Sequence, residues 1–71
     1  MKTQYAIVIE EAGKNFSAYV PDVPGCIATG KTREECKENL RLALKFHLDG
    51  LKLEHLAPPP STTSVEIVTL G

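Results

Sequence analysis

The 71-residue chain has no tryptophan and only two tyrosines, two phenylalanines, two cysteines and two histidines. Two cysteines are too few for the disulfide framework of a small secreted scaffold, so Cys26 and Cys36 read as free thiols of a reducing compartment. With His47 and His55 they make four potential zinc ligands, but none shows the close paired spacing of a structural zinc site. No metal or cofactor is therefore expected. Eight Lys and Arg are scattered among nine Asp and Glu, for a net charge of −1. No basic block exists, which argues against direct nucleic-acid binding by this chain alone. The uncharged stretch between Lys2 and Glu10 is too short for a signal-peptide core or a membrane span. The expected location is the cytoplasm, away from the membrane. No Ser-His or Cys-His arrangement is supported, and Asp22 has no evident acid or base partner, so no catalytic residue is assigned and no enzyme is expected.

What is present is organised as one domain over residues 1–71. A chain of this size buries only about 60–65% of its unfolded surface, which makes its own core marginal. "QYAIVIEE" is rich in β-branched residues, "NFSAYV" alternates Phe16, Ala18 and Val20 with Ser17 and Tyr19, and "AGKN" between them supplies a turn. "CIATG" reads as a third strand ended by Gly30. Thr32 and Glu35 form a capping-box pattern that starts a helix over about residues 32–52. Its expected apolar face runs through Cys36, Leu40, Ala43, Leu44, His47 and Leu51, opposite a charged face. "APPPS" then imposes an extended connector, and "SVEIVTL" reads as a fourth strand.

The order β-β-β-α-β predicts an α+β domain with one helix on one face of the sheet. A right-handed crossover places the last strand parallel to the first, in sheet order 3-2-1-4. The first strand is apolar on both sides, with Tyr5, Ile7 and Ile9 on one and Ala6 and Val8 on the other. Such runs belong to sheets buried on both faces. With one helix available, a second subunit is the expected cover, hence at least a dimer. Leu42, Phe46 and Leu53 lie on a flank of the helix. Ala6, Val8, Leu42 and Phe46 are the candidate contacts for an oligomer or another partner.

Between the second and third strands lies "VPDVPGC". Pro21 removes a ladder donor, Asp22 is suited to accept N–H bonds within the turn, and Pro24-Gly25 suits the centre of a type II turn with a positive φ at Gly25. Each residue has a backbone reason to be there. Cys26 and Cys36 read as buried structural thiols, and His47 as a packed, hydrogen-bonded side chain of the apolar face.

"YAIVIEE", then "FSAYVPDVPGCIATGKTREECKENLRLAL", then "PPPS" before the last strand resemble the HicB-like antitoxin family over nearly the whole chain. The most specific part is VPDVPGC followed closely by G-x-T-x-E-E, which covers Pro21, Asp22, Pro24, Gly25, Cys26, Gly30, Thr32 and Glu35. The resemblance implies a truncated ribonuclease-H-like fold. It also implies a function: binding and neutralising a HicA-like toxin, a small ribonuclease that cleaves messenger RNA. Members often carry an operator-binding segment after this domain; none is expected here, because the sequence stops at Gly71. The clustered carboxylates of a ribonuclease-H metal site are not matched by Glu10, Glu11 and Glu66. The alternative reading from a different functional class is a stand-alone oligomeric module that binds a ligand or protein and has no toxin.

Overall fold

In the computed structural model, which describes residues 3–71, the elements are β1 (Val8–Ala12), β2 (Asn15–Tyr19), β3 (Ile27–Gly30) and α1 (Arg33–Leu53). The fold is α+β. β1 and β2 form an antiparallel hairpin in register from Val8↔Tyr19 to Ala12↔Asn15. Its tight turn is made possible by Gly13, whose φ is +67°. β3 continues the meander from Phe16↔Gly30 to Tyr19↔Ile27, so the sheet order is β1-β2-β3.

The loop from β2 to β3 is two consecutive turns. Val23 N–H donates to the Val20 carbonyl at 3.1 Å, and Cys26 N–H donates to the Val23 carbonyl at 3.2 Å. In the second turn Pro24 and Gly25 are the central residues, and Gly25 has φ +83°. A positive φ at the third position after a proline is the signature of type II, as expected. The loop is closed by Val20 N–H donating to the Cys26 carbonyl at 3.2 Å. This folds Val20, Val23 and Cys26 inward, where they join Ala18, Cys36 and Leu40 as the buried core.

Thr32 caps α1 as its sequence pattern predicts: its backbone is extended and its hydroxyl accepts the Glu35 N–H at 3.0 Å. Gly30 serves a purpose beyond ending β3. A Cβ there would lie 2.5 Å from the Cys36 backbone nitrogen, so only glycine lets the first turn of α1 approach the strand this closely. The other end of α1 is a Schellman motif, with Leu56 N–H donating to the Leu51 carbonyl at 2.9 Å and His55 N–H to the Lys52 carbonyl at 3.1 Å. His55 occupies the left-handed position with φ 60°. That position usually falls to glycine, and Gly50 instead lies inside the helix.

Three expectations are corrected here. His47 is exposed, and the inward row of the distal helix passes through the half-buried Leu48 and Leu51. The inward row follows steps of four residues from Cys36 through Leu40, Leu44 and Leu48, which rotates His47 out of the apolar face. Residues 64–70, expected as the fourth strand in order 3-2-1-4, form no ladder within the single chain. Residues 4–7, read as the start of the first strand, also lie outside the ladder, which opens at Val8. Composition favours a strand in both segments, but a strand requires a hydrogen-bonding neighbour, and neither segment joins a ladder among the described residues.

Candidate functional site

Three features stand out: a tether and a groove on the β1 side of the sheet, and an exposed patch beside the motif loop on the β3 side. The first is a tether. Both carboxylate oxygens of Asp22 accept bonds from residues forty positions downstream: Thr62 N–H at 2.8 Å, Thr63 N–H at 2.9 Å, and the Thr62 and Thr63 hydroxyls at 3.0 and 2.7 Å. Donation from Thr63 N–H, then from its hydroxyl, lowers the Asp22 pKa to about 2, with Thr62 adding to the effect. Asp22 was expected to satisfy N–H groups of its own turn; the structure corrects this, giving it to the connector instead. Since both turns of the loop close by backbone bonds alone, the carboxylate is left over for the connector. Tyr5 OH donates to the Pro59 carbonyl, a second fastening of the same connector.

The second feature is a groove of about 920 Å³ between residues 3–7 and the helix, bordered by Leu40, Leu44, Lys37 and Arg41 and closed at one end by Ser61 and Thr63. Tyr5, Ile7 and Ile9 turn toward the core beneath it. The flanking strand edge is open: β1, like β3, is an outer strand, and among the described residues it pairs with β2 alone.

The third is an exposed apolar patch. Phe46 is 82% exposed, Ile27 is 70% exposed, and together with Gly25, Ala43 and His47 they border a hollow of about 330 Å³ beside the motif loop. Leu42, one turn before Phe46, is also exposed. On the sheet face away from the helix, the paired residues Val8, Tyr19 and Ile27 make an apolar row across all three strands. Ile27 thus joins the helix flank to the open sheet face.

The sequence-based candidates are divided among these places. Leu42 and Phe46 are exposed on the helix flank, whereas Val8 is half-buried on the open sheet face and Ala6 borders the groove. They are not one surface. Pro21, Asp22, Pro24, Gly25 and Cys26 shape the loop, and Gly30, Thr32 and Glu35 shape the junction of β3 with α1. Cys26 and Cys36 are free and buried. Burial raises the Cys26 pKa, which favours the protonated thiol. Two contributors escaped the sequence reading: Ile27, hidden inside a strand pattern, and the Asp22 tether, whose only local signal is the Thr62-Thr63 pair after the prolines. Among the described residues no three His, Cys, Asp or Glu side chains come together to hold a metal, and no helix is long and apolar enough to cross a membrane.

Residues 5–69 match the family described as HicB-like antitoxin of bacterial toxin-antitoxin systems. The chain belongs to the HicB-like antitoxin family. A protein from the rep-hol intergenic region of Haemophilus phage HP1 is 37% identical over 87% of this chain, which spans only 46% of the phage protein's length. UPF0150 proteins of Helicobacter pylori and Thermoplasma acidophilum are 36% and 33% identical, over 70% and 94% of this chain and 69% and 94% of their own lengths. Among solved structures, a chain of a HicA3 and HicB3 toxin-antitoxin complex superimposes with a TM-score of 0.68 at 30% identity, over 83% of this HicB-like chain and 70% of the matched chain.

Proposed function

We propose that this chain is an antitoxin that binds a HicA-like, messenger-RNA-cleaving toxin and neutralises it by covering its RNA-binding surface, with no catalysis of its own. The observation that carries the reading is its likeness, at 30% identity, to a chain from a HicA3 and HicB3 toxin-antitoxin complex. The contact surface in this reading is the patch of Ile27, Leu42 and Phe46. It is apolar and exposed, and it is held by the hydrogen-bonded loop and the capped helix. Large exposed apolar side chains on a small domain mark sites of protein association. The mildly acidic balance of the chain, a net charge of −1, speeds the encounter with a basic partner more than it adds affinity, so association slows as salt rises.

The working form is a cytoplasmic assembly of at least two chains, in which the sheet gains a fourth strand beside β1. That completes the ribonuclease-H-like order 3-2-1-4. Support comes from the open β1 edge and from the strand-like composition of residues 64–70.

The test is co-expression with a neighbouring small basic protein that arrests growth on its own. Growth rescue and co-purification are expected, and Phe46→Glu together with Leu42→Glu should abolish both while leaving the circular dichroism unchanged. Failure of rescue and co-purification by the wild-type chain, with the toxin independently active, would favour the stand-alone binding module.

A further inference from the structure

The sheet has a second outer strand, β3, and its open edge runs beside the hollow of Ile27 and Phe46. The register decides which backbone groups face outward there. Val20 N–H donates to the Cys26 carbonyl, and the same register continues through Tyr19↔Ile27, Ala18↔Ala28 and Ser17↔Thr29. Residues along an antiparallel strand alternate between bonding the partner and turning both groups away from it, so Ala28 and Gly30 bond β2. Ile27 and Thr29 present theirs to the outside. Asn39 of α1 takes one of these groups, its Nδ2 donating to the Thr29 carbonyl at 2.8 Å. Ile27 N–H, the Ile27 carbonyl and Thr29 N–H remain for a neighbour, and an edge of this kind is a template for another strand.

Two asymmetries define what such a strand must look like. A residue paired with Ile27 lies on the open sheet face beside that 70% exposed side chain, and the next residue points to the helix side. There the hollow of Gly25, Ala43, Phe46, His47 and Gly50 receives an apolar side chain. Charge is divided as well. With about 3.6 residues per turn, Arg33, Lys37, Arg41, Lys45 and Lys52 fall within about one third of the circumference of α1, toward β1, the groove and the connector. The β3 side carries none of them. Its acidic groups are Glu35, one turn before Asn39, and the C-cap Glu54, one turn after Gly50, and neither joins an ion pair among the described residues.

We infer that the protein partner adds an extended strand to the outer edge of β3 at Ile27 and Thr29, and that this strand is basic and seats an apolar residue in the hollow beside Phe46. Backbone bonds fix its register, and the hollow selects its side chain. Because Asn39 already occupies the Thr29 carbonyl, the added ladder is short. The proposal rests on the reading of Ile27, Leu42 and Phe46 as the toxin-binding surface, and names the element that lands there.

The test is amide hydrogen exchange on the full-length chain, alone and in complex with the neighbouring small basic protein. Ile27 and Thr29 N–H should exchange rapidly in the chain alone and at least about tenfold more slowly in the complex. A complex in which both amides exchange as in the free chain overturns the strand addition and leaves the antitoxin reading standing. No complex with an active toxin overturns both. Protection of these amides in the chain alone would put a second copy on the edge and overturn the assignment to a basic partner. As a second arm, Thr29→Pro removes one outward N–H, keeps the ladder bonds to β2 and the side chains of the patch, and suits an edge strand. It should weaken the complex by at least about tenfold with the helical circular dichroism unchanged. Undiminished binding overturns the proposal. Loss of the helical signal also overturns it, because it would show that Thr29 N–H does not face outward.

Discussion

β2 and the tail make an instructive pair. "NFSAY" contains no β-branched residue, whereas "SVEIVTL" contains four, yet the first is a strand and the second is not. Intrinsic preference would order them the other way. The difference lies in neighbours: β2 pairs on both sides and places Ala18 in the core, while residues 64–70 are exposed and join no ladder among the described residues. Strand formation here is a property of the sheet, and composition only states which segments will accept a place in it.

The largest effect should come from the side of the comparison that has its neighbours. Leu40 is 1% exposed at the contact of α1 with the sheet. Leu40→Ala should therefore destabilise by about 2–5 kcal/mol in urea unfolding. The helix and sheet should lose structure together; a shift below about 1 kcal/mol would mean the core does not hinge on this contact. Gly25→Val should cost about 1–3 kcal/mol, because a β-branched residue is strained at φ +83°. An unchanged melting temperature would mean the loop relaxes into another turn, and the inward placement of Val23 and Cys26 would lose its explanation. Thr32→Ala removes the acceptor for Glu35 N–H and should cost about 1 kcal/mol, read in the same unfolding experiment.

A subtler prediction concerns the tether, which joins the two regions. A carboxyl whose pKa is lowered on folding contributes stability that is present above its ordinary value near 3.8 and disappears as pH falls through about 2. The amide resonances of Thr62 and Thr63 should therefore titrate together with a midpoint near 2, and Asp22→Asn should remove that transition. A midpoint near 3.8 would show that the bonds are not formed in solution. The smallest effect belongs to the exposed Glu38–Arg41 pair at 2.7 Å, where Glu38→Gln should leave the melting temperature unchanged within error.

Much of this was legible because local physics decides it. Thr32 and Glu35 announced the helix start, the apolar spacing carried α1 to within a residue of its observed ends, and Pro24-Gly25 announced a type II turn. Three things were hidden for a common reason. The outward turn of His47 depends on how α1 is rotated over the sheet. The Asp22 bonds depend on residues forty positions away. The missing pairing of residues 64–70 depends on which neighbour is at hand, and spacing within a segment says nothing about that. Of the candidate site, Leu42 and Phe46 were visible as a helix flank. Their junction with Ile27 required the sheet register.

The most direct test of the antitoxin reading is a reconstituted cleavage assay with a HicA-like toxin, a messenger RNA and increasing amounts of this chain. The account predicts that cleavage falls to background at stoichiometric amounts, that the chain alone neither cuts nor retards the RNA, and that the Leu42→Glu, Phe46→Glu variant leaves cleavage intact. Undiminished cleavage by an active toxin in excess wild-type chain would contradict it.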